Sequence, residues 1–265
     1  FEPMSLLITS INSGSNGNCY YIGNERDAVL VDAGISARET LRRMQNLGLA
    51  PDTVRAIFVS HEHGDHIAGI VGLSRKLEIP VYISAGTQQA AALPVDQRLC
   101  RHFADNDRLA IGSLEVLAFN KSHDAADPYS FTISDGLVTV GVFTDIGRVC
   151  SNLIRHFKDC HAAFLEANYC ERMLENGSYP FHLKKRISGG RGHLSNTQAL
   201  DLFVKHRHGQ LSHLVLSHLS KNNNDPELVG RLFSAQRKST QITVASRYHE
   251  MPLLTVTANR QMVLF

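Results

Sequence analysis

Short apolar runs alternate with turn-rich segments along the whole chain. Leu6–Ile11 and Cys19–Gly23 read as strands on either side of the polar stretch Asn12–Asn18, and Ala28–Asp32 reads as a buried strand. Ser36, with Glu39 three residues on, forms a capping-box pattern. It opens a helix through Leu41, Met44 and Leu47 that Gly48 and Pro51 stop. Ala56–Val59 is a strand that runs into His61. A helix over about Ile67–Leu77 and a strand over Val81–Ser84 follow. The middle is β-rich, with Leu114–Phe119, Tyr129–Ser134, an Asp135-Gly136 turn and Leu137–Thr144. Ala162–Leu165 and Leu211–Ser217 bracket a helix from about Ser195 to Lys205. Asp225-Pro226 starts another helix, and the strands Gln241–Ala245 and Leu253–Thr257 come after it. Mixed strands with helices interspersed, and neither repeat nor linker, predict one α/β domain over residues 4–265. Phe1-Glu2-Pro3, ahead of Met4, reads as an appended remnant.

Composition narrows the classes. The chain has 265 residues, 43% hydrophobic and 20% charged, which is enough to bury a core and excludes a disordered or disulfide-held protein. No run approaches the ~18 apolar residues of a membrane span, and no secretion signal opens the sequence, so a cytoplasmic location is expected. Five cysteines without C-x-x-C spacing point to reduced thiols rather than a disulfide framework or thiolate zinc site. Lys and Arg (27) nearly balance Asp and Glu (25), so any site for a polyanion must be local. The 14 histidines are the unusual feature.

His61-Glu62-His63-Gly64-Asp65-His66 places four potential metal ligands directly after a strand. His61 and His63 can point the same way from a turn, and Asp65 and His66 can project from the start of the next helix. That geometry suits two ions side by side. Neutral imidazole and carboxylate supply the required lone pairs near pH 7.

This HxHxDH pattern resembles the signature of the metallo-β-lactamase superfamily. His123, Asp145 and His218, each following an expected strand, match its downstream pieces. The resemblance implies an αββα sandwich of two mixed sheets flanked by helices. It implies one metal held by His61, His63 and His123, and a second held by Asp65, His66 and His218, with Asp145 bridging. Donors limited to nitrogen and oxygen leave Zn²⁺ and Mn²⁺ both open.

Leu165-Glu166-Ala167-Asn168 and Gly192-His193-Leu194-Ser195-Asn196-Thr197 resemble the acidic and histidine motifs of tRNase Z-like phosphodiesterases. In that family the Glu orients the His, which protonates the leaving oxygen. Carried over, Glu166 and His193 form this dyad, and Asp65 accepts the proton of a metal-bound water or hydroxide nucleophile. Closer still, Ser13-Gly14-Ser15-Asn16-Gly17-Asn18-Cys19, Val31-Asp32-Ala33-Gly34 and Ser122-His123-Asp124-Ala125-Ala126-Asp127-Pro128 resemble the YycJ/WalJ branch of stand-alone DNA exonucleases. Where that family reads Leu-Glu-Ser-Asn-His, this chain reads Leu165-Glu166-Ala167-Asn168-Tyr169. The stretch between Asp145 and His218 is too short for the inserted domain of β-CASP nucleases. The resemblance implies hydrolysis of terminal phosphodiesters of linear DNA, with a role in DNA repair.

Lys184, Lys185 and Arg186, with Arg191, are the candidate cations for the DNA backbone, and a solvated strand edge is the rival reading of that run. Ser13, Ser15 and Asn18 could offer an anion-binding loop, and Asn223 could line the groove. Two alternatives stay open: a thioesterase or lactonase acting on small molecules, and a non-catalytic nucleic-acid-binding module. No protein partner is inferable.

Overall fold

The computed structural model describes residues 5–258, so Phe1-Glu2-Pro3 lies outside the described residues. Its strands are β1 (Ser5–Asn12), β2 (Cys19–Gly23), β3 (Ala28–Val31), β4 (Val54–Phe58), β5 (Val81–Ser84), β6 (Cys100–Phe103) and β7 (Arg108–Ile111). They continue with β8 (Leu114–Asn120), β9 (Tyr129–Ser134), β10 (Thr139–Phe143), β11 (Ala162–Glu166), β12 (His213–Ser217), β13 (Gln241–Val244) and β14 (Leu254–Thr257). The helices are α1 (Ala37–Asn46), α2 (Gly64–Ile67), α3 (Ile70–Leu77), α4 (Ala85–Ala91), α5 (Ser151–Phe157), α6 (Glu171–Asn176), α7 (Phe181–Ser188), α8 (Asn196–His206) and α9 (Pro226–Ser234).

Two seven-stranded sheets result. The first runs β14-β1-β2-β3-β4-β5-β6, antiparallel as far as β3 and parallel beyond it. The second runs β13-β12-β11-β10-β9-β8-β7, parallel as far as β10 and antiparallel beyond it. Both faces of the central strands are buried, and the two-residue strand period divides their side chains between layers. Leu6, Ile8, Tyr20, Ile22, Val29 and Val31 face the second sheet and meet Phe131, Val140 and Phe164. Their neighbours Ile11, Cys19, Tyr21, Ala28 and Leu30 pack outward with Met44, Ile70 and Leu73 of α1 and α3. On the far side, Ala163, Leu165, Leu214 and Leu216 pack with Leu153, Phe157, Leu202, Phe203 and Phe233 of α5, α8 and α9. The stacking is helices, sheet, sheet, helices, as the superfamily resemblance implies.

Local signals mostly act as read. Ser36 caps α1 by accepting from the Glu39 amide, and Asp225 caps α9 ahead of Pro226. The capping box at α1 is incomplete, because the Glu39 carboxylate turns to Arg42 and Arg43 instead. The expected helix over 67–77 is split into α2 and α3 at Ala68-Gly69. There the Gly69 amide donates to Ala33 O at 2.7 Å, and a Cβ would sit 1.9 Å from Ile35 O, so the chain must approach that loop as bare backbone.

Arg43 ties α1 to two distant loops. Its guanidinium is buried and donates to Ile11 O (2.9 Å), Asn12 Oδ1 (2.8 Å) and Tyr248 O (3.0 Å), while Nε reaches Glu39. Arg43→Met keeps the apolar stem and leaves these acceptors without a donor. It is expected to cost about 2–4 kcal/mol, read as a lower urea midpoint at unchanged slope. A loss below about 0.5 kcal/mol, the scale of ordinary surface changes, would deny Arg43 this anchoring role.

Candidate metal centre

Parallel strands bring their C-terminal ends to one edge, and the candidate ligands collect there. In the first sheet β3 and β4 end side by side just ahead of Asp32 and of Ser60-His61, and His63 precedes α2, which carries Asp65 and His66. In the second sheet, β10, β11 and β12 end together just ahead of Asp145, at Glu166, and just ahead of His218. His123 follows β8, and His193 lies in the loop before the capping box of Ser195 and Gln198 that starts α8. Asp32, Asp145 and His218 all adopt positive φ (61°, 55° and 54°). That left-handed conformation is uncommon outside glycine and recurs where a site dictates the backbone.

His61, His63 and His123 bring one ligand atom each within 4.8 Å of one another, and so do Asp65, His66 and His218. Asp145 stands between the two groups: its carboxylate is 3.2 Å from His66 Nε2, 3.8 Å from His123 Nε2 and 3.4 Å from His218 Nδ1. His61 Nε2 and His63 Nδ1 are 3.0 Å apart, and His218 Nε2 lies 3.5 Å from Asp65 Oδ2. Asp145 Oδ2 and His218 Nε2 are buried without a hydrogen bond, although His66 Nε2 lies near the former in distance. Buried donors and acceptors normally find partners. Orphaned ligand atoms converging with nitrogens that face one another therefore fit divalent cations, and the nitrogen and oxygen donor set suits Zn²⁺ or Mn²⁺.

The electrostatics of the cluster is split. Burial holds His61 well below the usual histidine range and takes His123 down to about 4. Burial opposes charge on His66 too, but Asp145, Asp32 and Asp65 outweigh it and lift that imidazole to about 10. Burial would raise Asp145, yet His218 and His66 hold its carboxyl well below the usual carboxylate range. Imidazoles and carboxylates thus compete for few protons in one small volume.

A supporting layer fixes these groups. Asp32 accepts from the Ser60 amide and hydroxyl (both 2.8 Å) and holds His66 Nδ1 at 2.7 Å, which aims Nε2 into the cluster. Sequence reasoning noted Asp32 only within a motif; its signal was an aspartate ending an otherwise apolar strand. Glu166 is fully buried: Oε2 accepts from the amides of Ile146 (2.9 Å) and Leu194 (3.0 Å). Its Oε1 lies 2.8 Å from His193 Nδ1 and 2.9 Å from His218 Nδ1. His193 Nδ1 faces that carboxylate, and its ring borders a cavity of about 400 Å³ lined also by His63, Asp65, Asp145, Tyr179 and Arg186.

The proposed substrate contacts divide. Ser15 and Arg191 are exposed near the cluster. Ser13, Asn18 and Asn223 are buried. Ser13 Oγ accepts from the His218 amide (2.8 Å), and Asn18 Nδ2 lies 3.2 Å from Asp65 Oδ2 and 3.1 Å from His66 Nε2, so both support ligands. The Asn223 amide donates to Ser220 Oγ at 3.2 Å. Lys184, Lys185 and Arg186 lie on helix α7 rather than a strand edge. Lys184 donates to Glu175 O, Lys185 sits over the Phe181 ring, and Arg186 pairs with Asp124.

A family described as the beta-lactamase superfamily domain matches residues 27–219. Exodeoxyribonuclease YycJ of Bacillus anthracis is 34% identical over 230 residues, covering 85% of this chain and 86% of the relative. Exodeoxyribonuclease WalJ of Streptococcus pneumoniae is 31% identical over 221 residues, covering 82% of each. The solved structure of the metallo-beta-lactamase fold protein YhfI from Bacillus subtilis aligns with a TM-score of 0.73 at 18% identity, over 95% of this chain and 99% of that one, which speaks to the fold alone. With the sandwich and the clustered HxHxDH side chains, these matches place the chain in the metallo-β-lactamase superfamily, within its YycJ/WalJ family.

Proposed function

We propose that the chain is a divalent-metal-dependent DNA exonuclease that hydrolyses terminal phosphodiesters of linear DNA, acting in DNA repair in the cytoplasm. The observation that carries this reading is the Glu166–His193 pair at the rim of the ligand cluster. The exodeoxyribonuclease names of relatives that span more than four-fifths of the chain support the substrate class. A charged cavity lining suits a charged substrate better than the apolar pocket of a thioesterase or lactonase. Five unpaired thiols suit a reducing compartment, and no helix among the described residues is long and apolar enough to cross a membrane.

His61, His63 and His123 would hold one cation, Asp65, His66 and His218 a second, and Asp145 would face both. Two such cations supply positive charge against the phosphate oxygens and acidify water. Asp65 takes the proton of the attacking water as its oxygen bonds to phosphorus. The bond from phosphorus to the leaving oxygen breaks, and His193 delivers the proton that this oxygen needs. Glu166, anchored by two backbone amides, keeps His193 in one orientation by facing its Nδ1 at 2.8 Å. Ser15 and Arg191 contact the strand.

The test uses metal-stripped protein with end-labelled linear DNA and circular DNA, adding Mn²⁺, Zn²⁺ or Mg²⁺ separately. Terminal nucleotides should be released from linear DNA only when metal is restored, with circles spared. Cutting of circles would make it an endonuclease, and no cleavage with any metal would turn the assignment toward ester or thioester hydrolysis.

A further inference from the structure

We propose that a cationic cavity beside the ligand cluster receives a terminal phosphomonoester, so that Arg148 and Arg191 select a phosphorylated strand end. The inference rests on the nuclease reading and says which ends that site accepts. The cavity measures about 590 Å³, within the range of small-molecule sites, and His123 lies in its wall, so it begins where the ligand cluster stops. Its charged lining is Lys121, Arg148 and Arg191, with no carboxylate. The adjoining cleft carries Asp65, Asp124 and Asp145. One compartment thus favours cations and its neighbour favours an anion.

The walls are held rigidly. A Cβ on Gly147 would lie 2.5 Å from Arg191 Cα, so the loops bearing Arg148 and Arg191 are pressed together. The Gly147 amide donates to Ser122 O (2.6 Å), Ser122 Oγ donates to Gly190 O (2.9 Å), and His123 Nδ1 lies 2.9 Å from Gly192 O. Arg148 and Arg191 are both exposed. Neither enters an ion pair among the described residues, whereas Arg186 nearby is engaged by Asp124. Lys121 is buried and donates to Thr144 O at 2.8 Å, so it contributes field rather than contact. Ala125, Ala126 and Pro128 give an apolar surface against which a sugar or base can lie. The Ala126 amide donates to Glu62 Oε1 at 2.7 Å and fixes that wall.

A terminal phosphomonoester carries roughly −1.5 to −2 charges at pH 7 and three acceptor oxygens. A diester inside a strand carries a single charge. Two planar guanidinium forks can bind the former bidentately. Only strand ends offer that group, so the cavity supplies end selection without a domain that encircles DNA.

The experiment measures binding of the metal-loaded chain to phosphorothioate-protected oligonucleotides. These come in pairs that differ only as 5′-phosphate against 5′-hydroxyl, or 3′-phosphate against 3′-hydroxyl. Cleavage of the unprotected pairs is measured alongside. In one pair the phosphorylated member should bind about tenfold tighter, the scale of one strong charge-assisted contact, and that pair identifies the end. Arg148→Gln and Arg191→Gln should each shrink the ratio, and the double substitution should bring it near one; Lys205→Gln, on the exposed face of α8, should leave it unchanged. Equal binding within twofold for both pairs, or a preference that survives the double substitution, would overturn the proposal. Binding and cleavage separate the two claims. Phosphate preference without cleavage would sink the nuclease reading alone, and brisk cleavage without preference would sink this one alone.

Discussion

Asp145→Asn should remove bound metal and lower DNA cleavage by roughly 10³-fold or more, the scale of losing a preorganised electrostatic group. Asn is the informative replacement. Asp145 has φ 55°, a conformation that Asn tolerates better than most residues, so the turn after β10 should persist. What changes is charge. The carboxylate lies 3.2 to 3.8 Å from nitrogens of His66, His123, His193 and His218, and it is the candidate ligand that both triads face. A neutral amide there cannot balance two divalent ions. Metal content per chain by mass spectrometry, measured with cleavage of end-labelled DNA, checks this. Full metal content at wild-type rate would remove Asp145 from the ligand set.

His193→Ala should behave differently, retaining metal while losing about 10²–10⁴-fold in turnover, the usual worth of a positioned general acid. His193 belongs to neither triad that brackets Asp145, although its ring nitrogen also converges with Asp145, Glu166 and His218, so metal content is measured beside the rate. A strand whose leaving oxygen is replaced by sulfur needs no protonation to depart, and on that substrate the variant should recover most of its deficit. Equal losses on both substrates would make His193 a substrate-binding group, and wild-type turnover on ordinary DNA would remove it from the chemistry. Glu166→Gln should slow turnover in the same direction through His193. Because Glu166 also touches His218 at 2.9 Å, metal content must be measured beside the rate.

Strands buried on both faces were the most legible part of the fold, since runs such as Val29–Val31 and Phe164–Leu165 have to be apolar throughout. The edge strands β6 and β7 were not foreseen. Cys100-Arg101-His102-Phe103 and Arg108-Leu109-Ala110-Ile111 are short and partly polar, as exposed edges tend to be. Helix α7 is hard to read from sequence because it fully buries none of its residues, and its apolar pair Leu183 and Ile187 is too short a pattern to stand out. The division into two sheets came from the superfamily resemblance, for periodicity alone does not assign a strand to a sheet. The candidate ligands stood out because histidine and aspartate directly after apolar strands are conspicuous. The sequence offers Ser13 and Asn18 as part of an anion-binding loop and Asn223 as a groove residue, and it carries no signal for where their side chains turn. Here their side chains are buried, with Ser13 and Asn18 against the groups around His218, Asp65 and His66, a use that composition does not announce.

The position of β14 has a consequence for how the chain matures. It pairs with β1 at the edge of the first sheet, Ser5 opposite Thr257, although the rest of that sheet is drawn from the first half of the chain. During synthesis every candidate ligand through His218 leaves the ribosome before β1 gains this neighbour. Until then the nascent chain exposes an unpaired edge beside a cluster of histidines, which can recruit ions or foreign strands. A ribosome stalled late enough for His218 and β13 to have emerged, with β14 still inside the tunnel, should therefore carry a protease-sensitive chain, and release of β14 should convert it to a resistant one.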